Sequence, residues 1–169
     1  IYTVKYFFVL DSKGDRIIAK YYSNDFDGVN KQKAFERSVF DKTAKINGEI
    51  TMLDNFIVVY RQYTNVIIYF VGDKDQNEIA LLNVLNTFTE TLHNLLDSNN
   101  INKQTILEGI NLTLLALDEI IDDGILLEND PSIIANRVGI RVGGDADDLD
   151  QNISNVLASA KEQLANFLK

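Results

Sequence analysis

VIIYFV, residues 66–71, is the longest uninterrupted apolar run in the chain. A strand with one exposed face alternates apolar and polar residues, whereas a run that is apolar throughout is typical of a strand buried on both faces of its sheet. Its six residues fall far short of the ~20 that a membrane-spanning helix needs. We therefore expect a central strand here, with helices packed on both sides of the sheet.

The segments around this run predict the rest of the sheet. Residues 2–10 and 16–22 are rich in aromatic and β-branched side chains, and the short loop between them contains a glycine, which is the pattern of a β-hairpin. Residues 49–53 and 56–62 have the same character and predict two further strands. Between the two groups, residues 30–45 show helical spacing, with Asn30 as the expected cap.

The second half of the chain predicts helices. Asp75 and Glu78 form a capping pattern, and a leucine-rich stripe at helical spacing follows it. A second stripe runs from residue 106 to residue 121 and is stopped by Gly124, and Pro131 opens a short helix through residue 137. The expected fold is α/β (α+β), with a five-stranded, mainly antiparallel sheet between helices.

The C-terminal part differs in composition from the rest. We predict a domain over residues 1–138, a flexible acidic linker over 139–148 and an amphipathic helix over 149–169. The polar face of this helix lacks the Lys/Arg richness of membrane-surface helices, so we expect it to dock on this domain or on a partner. Its apolar stripe consists of Leu149, Ile153, Val156, Ala160, Leu164 and Phe167.

Composition excludes several functions. The 169 residues include no cysteine and one histidine, so a disulfide scaffold, a thiol nucleophile and a His-rich metal cluster are impossible. Within the net charge of −9, residues 1–48 carry nine basic and six acidic side chains, and residues 49–169 carry seven and nineteen. We expect no nucleic acid partner and no direct membrane insertion, because the larger, acidic part would be repelled by phosphates. The default location is soluble and intracellular.

The histidine offers little for catalysis. His93 falls on the polar side of its predicted helix, between Glu90 at i−3 and Asp97 at i+4. No nucleophile is aligned with it, and the chain has no phosphate-binding glycine motif. We predict a solvated histidine, and no catalytic residue, cofactor or metal.

One acidic cluster breaks a local rule of helix formation. Carboxylates at the end of a helix oppose its dipole at a cost of ~0.3–1 kcal/mol each, and like charges four residues apart repel. Such violations are expected at functional sites. The cluster is conceivable as a catalytic pair, as a surface that meets Lys/Arg of a partner or of this chain's own Arg137 or Arg141, or as a solvated face, and we favour the second interpretation. Its members are Asp118, Glu119, Asp122 and Asp123.

Several short motifs, taken in order, resemble one protein family. IIAKYY (17–22), KQKAFE (31–36), VYRQY (59–63) and NEI (77–79) precede LLALDEIIDDGILLE (114–128), which is the most specific of them. Their order and spacing closely resemble the zeta family of coatomer, the COPI coat, and more distantly the sigma subunits of clathrin adaptors. The resemblance covers about residues 2–138.

This resemblance implies a longin-like fold and a non-enzymatic role as the small subunit of a vesicle coat. It implies pairing with the trunk of the coatomer gamma subunit within the heptameric complex, and indirect contact with an Arf-family GTPase and cargo. The implied location is the cytoplasm and the cytosolic face of Golgi membranes and COPI vesicles, for Golgi-to-ER and intra-Golgi transport. Candidate contacts with the partner are Tyr60, Arg61, Tyr63, Asp118, Glu119, Asp122 and Asp123.

Two alternatives remain within the same fold: a sigma-type small subunit of a clathrin adaptor, and a longin-type regulatory or binding domain. A longin SNARE would need a long heptad-repeat helix after the domain, and 31 residues follow Val138. An enzyme would need convergent polar groups, which the sequence does not indicate.

Overall fold

A five-stranded sheet forms the centre of the protein. The computed structural model describes residues 3–96 and 99–143, together with Ala158, Ser159, Glu162 and Ala165. The strands lie in the order β2-β1-β5-β4-β3, and every neighbouring pair is antiparallel. The predicted fold, a mainly antiparallel sheet between helices, is confirmed. The strands are β1 (Tyr6–Asp11), β2 (Arg16–Tyr21), β3 (Ile50–Leu53), β4 (Phe56–Gln62) and β5 (Val66–Asp73).

Five helices and a small hairpin complete the described fold. The first helix packs on one face of the sheet, and the others cover the opposite face or extend from it. The helices are α1 (Val29–Thr43), α2 (Glu78–Leu95), α3 (Lys103–Glu108), α4 (Ile110–Ile120) and α5 (Pro131–Val142), and the hairpin consists of β6 (Ile121–Asp122) and β7 (Ile125–Leu126).

Strand β5 is the middle strand, as its sequence predicts. No side chain from residue 66 to residue 71 is more than 3% exposed. Because successive side chains of a strand point to opposite faces, Ile68 and Phe70 pack with α2 and α4, while Ile67 and Tyr69 pack with α1. The apolar run therefore contributes to both cores.

Two predicted helix caps are wrong. Helix α1 begins after Gly28, which has a φ of 89°, so Asn30 lies inside the helix. The cap of α2 is Asn77 rather than Asp75, because the Asn77 side chain accepts hydrogen bonds from the amides of Ile79 and Ala80. The buried leucine-rich stripe of α2 agrees with the prediction.

The predicted helix over residues 106–121 is two helices. Gly109 has non-helical φ and ψ values of −100° and 29° and separates α3 from α4, and a Cβ there would clash with a methyl carbon of Leu96. A glycine at this point lets the two helices meet with the end of α2 beneath them. Helix α4 then ends at Ile120, before two of the four clustered carboxylates.

Helix α5 is longer than predicted. Asp130 caps it, Pro131 occupies its first turn, and it continues through Val142 rather than ending at residue 137. It therefore extends into the segment assigned to the acidic linker, the second half of which, residues 144–148, lies outside the described residues. In the predicted C-terminal helix, Ala158, Ser159, Glu162 and Ala165 are helical and exposed, and the apolar stripe lies outside the described residues. The domain boundary at residue 138 stays a prediction.

Candidate interaction surface

The acidic cluster lies partly on a β-hairpin. Strands β6 and β7 pair with Ile121 opposite Leu126 and Asp122 opposite Ile125. The two residues between them, Asp123 and Gly124, have φ values of 47° and 82°, as tight hairpin turns require. The prediction that Asp122 and Asp123 end a helix is wrong, and the repulsion inferred from helical spacing does not arise. Asp-Gly between short apolar segments was the signal that would have predicted the turn.

This hairpin is joined to the N-terminal segment. The Val4 amide donates a hydrogen bond to the Gly124 carbonyl at 2.7 Å, and Thr3 forms an isolated bridge with Ile125. A Cβ on Gly124 would lie 2.7 Å from the Val4 carbonyl oxygen. Close backbone contact therefore fixes the position of the hairpin against the main sheet.

Glu119 has its ionic partners inside the chain. Its side chain is 9% exposed, and Arg141 Nη2 lies 2.6 Å from Oε1. Arg137 Nη1 lies 3.6 Å from Oε2, and the same guanidinium lies 3.6 Å from Glu128. The interpretation that the cluster meets Arg137 or Arg141 therefore holds for Glu119, which ties α4 to α5.

Asp118 and the hairpin line a polar cleft of about 660 Å³ opposite the end of β2. Lys20 forms an ion pair with Asp118, and its Nζ lies 5.6 Å from the centroid of the Tyr22 ring. The Tyr22 hydroxyl oxygen is buried without a hydrogen-bond partner in the described part of the chain. Burial raises the pKa of Tyr22, and the charges of Asp118 and Asp122 raise it further.

The outward face of the hairpin is both acidic and apolar. Asp122 and Ile125 are directly opposite each other, so their side chains lie on the same face, and alternation places Leu127 there too. Ile125 is 45% exposed and Leu127 is 59% exposed, whereas Ile121 on the other face is buried. We call the surface formed by Asp118, Asp122, Asp123, Ile125 and Leu127 the acidic hairpin face.

The three candidates at the end of β4, of which Tyr63 directly follows the strand, do not share one surface. Tyr60 is 1% exposed and stacks on Tyr69 beneath α1, so in the free chain it is a core residue whose pKa is raised by burial. Arg61 points to the opposite face, where it donates hydrogen bonds to Thr89, Asn86 and Glu49. Tyr63 is half-buried on the same side as Arg61, and burial raises its pKa.

A polar cluster before α1 was not predicted from the sequence. The Asp25 carboxylate accepts hydrogen bonds from the Ser23 hydroxyl, the Tyr6 hydroxyl and Lys5 Nζ, and these bonds lower its pKa to about 2. Lys5 also lies 3.4 Å from Asp73, which brings three separate segments together. No local sequence pattern identifies such a cluster, because its members are neighbours only in the folded chain.

An apolar groove of about 410 Å³ opens beside α1. Phe26 stacks on Phe35 with ring centroids 4.7 Å apart, and Phe56 packs edge-on against Phe35 at 5.3 Å. Lys31 and Asp54 also line the groove. Its aromatic lining comes from the loop before α1, from α1 itself and from β4.

His93 is exposed on α2, with its ring centroid 6.4 Å from that of Tyr63. Among the described residues, no three His, Asp or Glu side chains are grouped in a way that could hold a metal ion. No helix in that part of the chain is long and apolar enough to cross a membrane.

Comparisons with known proteins agree on one family. The family model described as clathrin adaptor complex small chain matches residues 3–143. The chain is 62% identical to the probable coatomer subunit zeta-A of Dictyostelium discoideum, over all of this chain and 98% of that protein. It is 41% identical to the human coatomer subunit zeta-1, over 97% of this chain and 92% of that protein.

A structural comparison shows that the chain shares its fold with a chain of the AP-3 complex. A chain of a homology model of the full-length AP-3 complex matches with a TM-score of 0.63, over 92% of this chain and 98% of that one. The sequence identity of this pair is 16%, so the likeness concerns the fold alone.

Proposed function

We propose that this chain, which belongs to the clathrin adaptor complex small chain family and is a coat small subunit, is the zeta-type subunit of a COPI coat. In that role it pairs with the trunk of the coatomer gamma subunit. The observation that carries the proposal is the 62% identity to a protein named probable coatomer subunit zeta-A, over all of this chain and 98% of that protein. The relatives at 41% identity in human and cattle carry the same name.

The role proposed here is transport rather than catalysis. The gamma-bound chain is part of a heptameric coat, which an Arf-family GTPase brings to the cytosolic face of Golgi membranes for Golgi-to-ER and intra-Golgi transport. An acidic chain with a net charge of −9 has little attraction of its own for anionic lipid, so its assembly has to hold it at the membrane. Contact with cargo and with the GTPase is indirect.

A co-purification experiment tests the proposal. The full chain is co-expressed with a tagged trunk of the coatomer gamma subunit and, in parallel, with the tagged large-subunit trunk of a clathrin adaptor. We expect an equimolar complex with the gamma trunk in size-exclusion chromatography, and better solubility of the chain in that complex than alone.

The parallel arm distinguishes the two coat types. A stable complex with the adaptor trunk alone would support a sigma-type subunit instead. A monodisperse chain that binds neither trunk would contradict the pairing altogether. Catalytic turnover by the isolated chain would contradict the non-enzymatic role.

A further inference from the structure

The acidic hairpin face has an apolar component that the described part of the chain leaves uncovered. Ile125 and Leu127 lie two residues apart on the outward side of the hairpin, and both are about half exposed. Their neighbours Ile121 and Leu126 already supply the apolar contact between the hairpin and the core. The exposed pair is therefore not needed to hold the hairpin, and it is available to a partner.

The negative charge of the acidic hairpin face is only partly neutralised. Asp118 pairs with Lys20, but Asp122 and Asp123 have no ion pair within 4.0 Å among the described residues. All three carboxylates line the same cleft. Complementary charge across an interface favours specific and fast association, so this face fits a basic partner.

The ring of Tyr22, rather than its buried hydroxyl, is the part of this residue that a cation in the cleft can meet. Its side chain lines the cleft, and its buried hydroxyl oxygen has no hydrogen-bond partner in the described residues. Lys20 lies over its ring while paired with Asp118. Exposed ion pairs such as Lys20–Asp118 contribute little stability, so an incoming cation can replace Lys20 beside Asp118 and over the Tyr22 ring.

We propose that the acidic hairpin face binds a basic segment of the large coat subunit, with apolar side chains against Ile125 and Leu127 and a Lys or Arg side chain in the cleft. The cation then pairs with Asp118 and Asp122 and lies over the Tyr22 ring. The inference rests on the proposed function, because the large coat subunit is its partner.

The test measures the affinity of the full chain for the coatomer gamma trunk by isothermal titration calorimetry. Asp122→Lys and Leu127→Ser each alter an exposed side chain, and we expect each to weaken binding at least tenfold. Asp41→Lys is the matched control, because Asp41 is exposed on α1, on the other side of the sheet, and we expect its affinity to stay within twofold of the wild type. Raising the salt concentration should weaken the wild type more than Asp122→Lys.

Tyr22→Phe is a second control. Removing the buried hydroxyl should leave the melting temperature unchanged or higher and, because the ring is kept, the affinity within twofold of the wild type. Melting curves within about 2 °C of the wild type confirm that the other variants are folded.

The possible outcomes distinguish a failure of the proposed binding surface from a failure of the proposed function. Binding within twofold of the wild type by Asp122→Lys and Leu127→Ser would overturn the surface while leaving the gamma pairing intact. Loss of affinity in Asp41→Lys equal to that in Asp122→Lys would also overturn it, since the effect would not depend on this face. A wild-type chain that binds no trunk would refute the proposed function, and this inference with it.

Discussion

Gly124→Ala tests the hairpin geometry on which the acidic hairpin face depends. Gly124 has a φ of 82°, and a residue with a Cβ in this region is strained by roughly 1–2 kcal/mol. The new Cβ would lie 2.7 Å from the Val4 carbonyl oxygen, a backbone atom that no side-chain rotation can move away. Relieving this clash would weaken the hydrogen bond from the Val4 amide to Gly124, which contributes about 0.5–1.5 kcal/mol.

These terms together predict a loss of about 1.5–3.5 kcal/mol in the free energy of unfolding. For a domain of this size, 1 kcal/mol corresponds to about 2–4 °C, so the melting temperature should fall by roughly 3–14 °C. Thermal unfolding followed by circular dichroism at 222 nm measures the shift.

Gly139→Ala is the matched control. Gly139 lies inside α5, and an added Cβ would meet nothing within 4 Å. Alanine is favoured over glycine in a helix by about 0.8–1 kcal/mol, so this variant should melt slightly higher than the wild type. Equal shifts in the two variants, or a Gly124→Ala protein that melts with the wild type, would refute the described turn and its contact with Val4.

Three further predictions concern the core, the polar cluster and the tail. Ile68→Asp should abolish folding, because an unpaired buried carboxylate costs several kcal/mol against a total stability of about 5–15 kcal/mol, and a cooperative melt at the wild-type temperature would contradict it. The pKa of Asp25 is lowered to about 2, so its contribution to stability is present above the unfolded pKa of about 3.9 and is lost as the pH falls toward 2. The free energies of unfolding of the wild type and of Asp25→Asn, measured at decreasing pH, should therefore converge near pH 2. A constant difference between the two proteins down to pH 2 would refute this. Deleting residues 144–169 should leave the melting temperature and the affinity for the gamma trunk near those of the full chain, whereas a tenfold loss of affinity, ~1.4 kcal/mol, would assign the tail to the interface.

The elements that the sequence predicts well are those with strong periodicity. The fully apolar run of β5 predicts burial on both faces, and the leucine stripe of α2 predicts the buried side of that helix. Errors occur where a helix ends or breaks. Gly109 divides one predicted helix into two, and Gly139, a helix breaker by propensity, lies inside α5 because Ile134 and Val138 are buried there.

In the candidate site, too, the sequence predicts some features correctly and others wrongly. The sequence identifies an unusual concentration of carboxylates after residue 117, but helical spacing assigns wrong neighbours to Asp122 and Asp123. The folded chain gives each of the other two a separate environment, with Glu119 beside Arg141 and Asp118 beside Lys20. Tyr60 and Arg61 are adjacent in the sequence, yet strand alternation sends one into the core under α1 and the other to α2.

By itself, the sequence determined the sheet, its two-sided burial and the family, because apolar periodicity and ordered motifs are properties of neighbouring residues. Only the tertiary structure decided which carboxylates are neutralised within the chain and which face outward. Lys20 and Asp118 are 98 residues apart, and the hairpin is positioned by Val4, from the other end of the domain. Such pairings depend on long-range packing, which brings distant residues within reach of short-range forces and leaves no local pattern in the sequence.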